Sequence, residues 1–121
     1  MKKLIKLIFA FVFISNSAFA EDLSVAWETE AAFKLPESVI YNKKNDLLYV
    51  SNIANHPFKK DGSGFISKVN MQGEIVELEW IKKLNAPKGL TIVPSKNPDE
   101  SDKLFIADVD ELVEVDIDTA K

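Results

Sequence analysis

Residues 35–52, LPESVIYNKKNDLLYVSN, decide the fold. Two short runs, SVIYN (38–42) and LLYVSN (47–52), are rich in valine, isoleucine, leucine and tyrosine, the mark of strands. Between them, NKKND (42–46) has the Asn/Asp chemistry of a tight turn, so the pair reads as a β-hairpin.

Working outward, GFISKVN (64–70) and EIVELEW (74–80) continue the pattern. They are joined by NMQGE (70–74), where Gly73 is free to take a positive φ. ANHPFKKDGSG (54–64) is a longer exposed loop punctuated by Pro57, Gly62 and Gly64. Beyond residue 20, no segment holds a helical period over about 11 residues. The fold class is all-β. LLYV and LFIA are continuous apolar runs, which predicts strands covered on both faces. EIVELEW alternates, which predicts a half-exposed outer strand.

The opening stretch then recurs. APKGLTIVPSKNPDESDKLFIAD (86–108), followed by ELVEVDIDTAK (111–121), echoes 35–52 and the strand after it. Pro36 matches Pro87, Leu48–Asn52 matches Leu104–Asp108, and Val69 matches Val115, at spacings of 51, 56 and 46 residues. The differences fall in loops, as a repeated structural unit allows. A four-stranded unit of this length is the size of a β-propeller blade. The first unit supplies four strands and the second three: GLTIV (89–93), KLFIAD (103–108) and LVEVDI (112–117). The expectation is a β-propeller of which the chain holds one and three-quarter blades, an N-terminal part (21–121) of a truncated ring.

Residues 1–20 stand apart. Lys2, Lys3 and Lys6 precede an apolar stretch over 7–14, and Ala18-Phe19-Ala20 closes it. That order is a secretory signal, with cleavage expected between Ala20 and Glu21. The apolar stretch is shorter than the ~20 residues of a membrane span, so no stable membrane anchor is expected after cleavage. Localisation is expected to be exported, periplasmic or secreted.

Cysteine is absent, which excludes a disulfide scaffold, a thiolate metal site and a thiol nucleophile. Removing the three signal lysines from fifteen basic residues leaves twelve against nineteen acidic ones, a formal charge of −7. All the basic residues are lysines, so the bidentate fork suited to phosphate and base edges is missing. Nucleic acid is not an expected partner.

The segments PESVIYNKKNDLLYVSNI, GFISKVNMQGEIVEL, APKGLTIV and KLFIADVDELVEVDI resemble the gluconolactonase / senescence-marker-protein (regucalcin) family and its NHL-type neighbours. The resemblance implies a six-bladed ring with a funnel at its axis. It also implies one divalent cation there (calcium, magnesium or manganese), held by oxygen ligands and polarising a lactone or ester carbonyl. PESV places Glu37 at the family's first metal-binding glutamate, in the context GESPV. At the corresponding place in the second unit, APKGL has Lys88 where the lactonases have asparagine in PNGL. That lysine would repel a cation, and would instead attract an anionic ligand or pair with Glu37. Asn52 and Asp108, at the ends of the matching strands, are candidate ligand-binding residues with Lys88.

Other residues read more plainly. His56 is the only histidine, in a loop, without partners for a metal set, and reads as a surface residue. Asp61-Gly62-Ser63-Gly64 lacks the spaced acids of a calcium loop and reads as a turn. Asp108, Asp110 and Glu111 read as an acidic hairpin corner. No phosphate loop or GxSxG elbow is present. Trp27 and Trp80 read as packing residues, with SVAWETE (24–30) a candidate strand closing the ring. Two functions follow: a metal-dependent lactone or ester hydrolase acting on a small-molecule substrate when the ring is complete, or a non-catalytic exported propeller that binds a small ligand or protein. The isolated chain is expected to be inactive.

Overall fold

The computed structural model describes residues 23–121, so the signal segment and its cleavage site lie outside the described residues. Seven strands form, in two antiparallel sheets. Sheet A is a meander of β1 (Pro36–Asn42), β2 (Leu47–Asn52), β3 (Gly64–Asn70) and β4 (Ile75–Leu84). Sheet B is a second meander of β5 (Leu90–Val93), β6 (Lys103–Ala107) and β7 (Leu112–Asp116). Neither sheet closes on itself, and the described residues contain no helix.

Turn chemistry sets the register. Asn42 Oδ1 accepts the N–H of Lys44 at 2.8 Å, and Asp46 turns at φ 59° to send the chain into β2. Ile40 then faces Tyr49, and Tyr41 faces Leu48. At the next corner Asn70 Oδ1 accepts from Gln72 and Glu74, while Gly73 sits at φ 84°, a conformation glycine adopts without penalty.

Alternation along the strands gives each sheet an apolar face, and these two faces meet. Tyr49, Ile66 and Leu84 of sheet A pack with Leu104, Ile106, Val115 and the following Ile117, flanked by Ile40, Trp80, Leu90 and Ile92. Tyr49 is fully buried, and its ring lies 5.0 Å from that of Trp80 at a tilt of 50°. Lys68, opposite Tyr49 on β3, lays its ammonium 4.2 Å from the Trp80 ring centroid. Burial of such aromatic pairs dominates the energetics of a small core.

The repeat is expressed in which face goes where. Leu90, Leu104, Ile106 and Val115 point from sheet B towards sheet A. Their repeat counterparts Val39, Leu48, Val50 and Val69 share the opposite face of sheet A, the one turned away from sheet B. The two meanders are therefore stacked in the same sense, front of one on back of the next.

Three expectations need correction. β2 is buried on both faces, but β6 alternates: Leu104 and Ile106 are buried while Ala107 is exposed. Among the described residues no second layer covers the outer face of sheet B, where Phe105 is only partly buried and Ala107 is exposed. β4 runs past Trp80 to Leu84, with three register shifts against β3 and Lys83 at φ 63°. Bulges of this kind add residues that oppose none across the ladder. The segment 24–30 forms no strand; Trp27 lies against Gly73, and Lys34 is bonded to Asn52.

Candidate functional site

The sequence-predicted residues sit at the end of the sheets where β1 and β5 begin and β2 and β6 finish. A bulge between Pro36 and Val39 shapes the first of them. Pro36 pairs with Asn52 and Val39 with Val50, so Glu37 and Ser38 fall outside the regular ladder. The hydroxyl of Ser51 takes the place of the ladder there, accepting the Ser38 N–H at 3.0 Å. Glu37 is exposed, and its Oε2 accepts the Ser38 hydroxyl at 2.5 Å; among the described residues no hydrogen bond engages Oε1. Bulges re-aim side chains in this way beside functional sites.

Asn52 is fully buried and fully engaged. Its Oδ1 accepts the Lys34 N–H at 3.0 Å, and its Nδ2 donates to Val50 O at 3.1 Å and Ser67 Oγ at 3.0 Å. Ser67 passes the chain on, donating to Leu78 O at 2.5 Å. One line of hydrogen bonds thus runs from the backbone before β1, across the buried interior of sheet A, to the bulged β4. Buried polar groups require such partners.

Asp108 is 7% exposed and bonded at both oxygens. Oδ1 accepts the N–H groups of Ala86 at 2.7 Å and Val109 at 2.8 Å, and Oδ2 accepts that of Asn85 at 2.7 Å. Lys88 does not pair with Glu37. Its ammonium donates to Pro57 O at 2.8 Å and Ala86 O at 3.1 Å, 5.8 Å from the Phe58 ring centroid. It ties the 54–63 loop to the approach of β5.

The same loop is fastened at a second point. Lys60 forms an ion pair with Asp110, whose carboxylate raises the Lys60 pKa above the ordinary lysine value. Asp61 accepts from the Ser63 hydroxyl and N–H and from Asn55 Nδ2; the Ser63 bonds hold its carboxyl below the usual range. DGSG is thus a turn. His56 Nδ1 accepts the Phe58 N–H at 3.2 Å on the exposed loop. Among the described residues no three His, Asp or Glu side chains converge into a metal-holding group.

Of the candidates, then, Glu37 alone combines exposure with an unengaged carboxylate oxygen. Asp108 and Lys88 spend their polar atoms on backbone groups, and Asn52 on backbone groups and the Ser67 hydroxyl. Reading the sequence missed Ser51 and Ser67, each fully buried. The signal was there: a serine inside a continuous apolar run marks a place where a side chain must complete the ladder. In comparison with known proteins, no protein family, curated protein or solved structure matches the chain.

Proposed function

We propose that the two sheets are neighbouring blades of an exported, gluconolactonase-like propeller, and that Glu37 contributes one oxygen ligand to a divalent cation at its axial end. The same-sense stacking of two repeated meanders supports the architecture, because front-to-back association of like units propagates until it closes a ring. The bulge that frees Glu37 from the ladder carries the site. A hard cation such as calcium or manganese takes carboxylate oxygens and supplies Lewis-acid polarisation of an ester or lactone carbonyl when bound. Glu37 is the ligand proposed from the described residues, so its task in the proposal is to hold and orient, with the remaining ligands supplied by other blades.

The Lys88 ammonium, a cation at the same end as Glu37, favours a second reading, a non-catalytic propeller that binds a small ligand or protein there. Titration calorimetry with calcium and manganese, alongside a lactone-hydrolysis assay of the complete ring, separates the two. Metal-dependent turnover that falls at least tenfold in Glu37→Gln supports the hydrolase. Metal binding unchanged by that substitution rejects Glu37 as a ligand.

A further inference from the structure

At the opposite end of β1 from Glu37, about 16 Å along the strand at the usual rise per residue, the two sheets part to leave a cleft of ≈ 610 Å³. Its walls are mainly apolar, with Ile40 from β1, Ile92 from β5, and Pro94 and Pro98 from the loop between β5 and β6. That volume and lining fall within the range of small-molecule sites.

Asn42 lines this cleft. It is 3% exposed, and its Nδ2 is the one buried side-chain nitrogen or oxygen among the described residues that has no hydrogen-bond partner. Its Oδ1 is fixed on the Lys44 N–H, so the amide cannot flip without breaking the turn. An orphaned buried donor is a standing cost that folding does not select for by itself. An acceptor entering the cleft removes that cost.

The charges nearby select the kind of acceptor. Asp102, 7% exposed, also lines the cleft, with Oδ1 accepting the Ser95 N–H at 3.0 Å. The Lys44 ammonium is already turned onto Glu100 O at 2.5 Å. Lys43 and Lys44 also line the cleft, but both are exposed at its rim; in the buried interior an anionic group would meet the Asp102 carboxylate with no buried cation beside it, whereas a neutral oxygen would not.

We infer that the cleft between the ends of β1 and β5 binds a small, largely apolar molecule through a neutral carbonyl oxygen that accepts a hydrogen bond from Asn42 Nδ2. Nδ2 is shielded from solvent, so binding requires the amide to be uncovered as the acceptor enters, and its resonance reports that entry directly. The site is separate from Glu37 and independent of the function proposed for it.

The test is a titration of the full chain with acetophenone, followed by the side-chain amide resonances of Asn42 in ¹⁵N–¹H spectra. Toluene, which has the ring without the acceptor, is the comparison. Saturable binding that moves the Asn42 amide, with toluene at least tenfold weaker, is expected. Asn42→Asp retains the Oδ1 acceptor for the Lys44 N–H and replaces the donor, and should weaken acetophenone at least tenfold. Pro98→Trp fills the cleft from an exposed loop and should abolish binding, so the result survives if the first variant misfolds. Equal affinity for toluene, binding that leaves the Asn42 amide unmoved, or an amide satisfied by a bound water alone each overturns the inference.

Discussion

Asn52 and Asp108 do the same work in the two sheets: each stands at the end of the second strand and accepts the backbone N–H of the residue two before the proline that leads into the first. For Asn52 that residue is Lys34, at 3.0 Å, and for Asp108 it is Asn85, at 2.7 Å. The repeat seen in the sequence is thus a repeat of hydrogen bonding. Asp108 is the stronger of the two latches, since its two carboxyl oxygens accept three backbone N–H groups, those of Ala86 and Val109 as well as Asn85.

It follows that Asp108→Ala should destabilise the protein by about 3 kcal/mol, because it strands buried N–H groups before β5. Asp108→Asn should cost about half of that, keeping one acceptor oxygen. Asn52→Ala should cost about 2 kcal/mol on the same grounds. Urea midpoints at constant m-value measure all three. A loss of ligand binding with stability unchanged would show that these side chains face a ligand and not the backbone.

Strand bounds were most legible where turn chemistry brackets them. Leu47–Asn52 and Gly64–Asn70 start and stop at the residues that Asn, Asp and Gly punctuation indicates. β4 was not, because its extension to Leu84 depends on bulges opposite β3 and on Lys83 taking a left-handed conformation, neither of which leaves a local signal. Glu37 is singled out in the sequence through a short motif, and the structure leaves it exposed beside a bulge. The latching by Asp108 was hidden because its partners lie 23 and 22 residues earlier and are backbone groups, which carry no side-chain signature.

Trp27 and Gly73 give a second prediction. A Cβ on Gly73 would come within 2.5 Å of the Trp27 ring, and φ there is 84°. Gly73→Ala should therefore cost about 1–2 kcal/mol through the backbone alone and expel the indole. Its emission should shift to the red, measured in a Trp80→Phe background so that one indole reports. An unshifted spectrum would mean that Trp27 does not rest on the turn.

Acid sensitivity should centre on Asp116. It accepts the Lys103 ammonium at 2.9 Å, the Thr119 N–H at 2.9 Å and hydroxyl at 3.0 Å, and the Asp118 N–H at 3.1 Å. The Lys103 bond first, and the Thr119 bond next, hold its carboxyl well below the usual carboxylate range. With the folded pKa depressed, the unfolded chain binds more protons in the acid range. The contribution is present above the unfolded carboxylate pKa near 4 and is lost as pH falls towards the folded one. Stability measured from pH 6 to pH 2 should fall more steeply in the parent than in Asp116→Asn. Parallel curves would remove Asp116 from the account.

A tight contact between the two units yields the last prediction. Gly64 opens β3 in sheet A, and Pro87, fully buried, leads into β5 of sheet B. A Cβ at Gly64 would meet Pro87 Cδ at 2.3 Å, with Asn85 O and Leu84 O each at 3.1 Å. Two of those neighbours are backbone carbonyls and the third is a rigid ring, so none can swing aside. Gly64→Ala must separate the start of β3 from the approach to β5, and overpacking of this kind costs about 1–3 kcal/mol. If the ring is the main obstacle, Pro87→Ala in the Gly64→Ala background should recover part of that loss, giving a coupling of at least about 0.5 kcal/mol in a double-mutant cycle. Additive effects would place the strain on the two carbonyls instead, and a fully tolerated Gly64→Ala would show that the sheets stand further apart at this end than the contact implies.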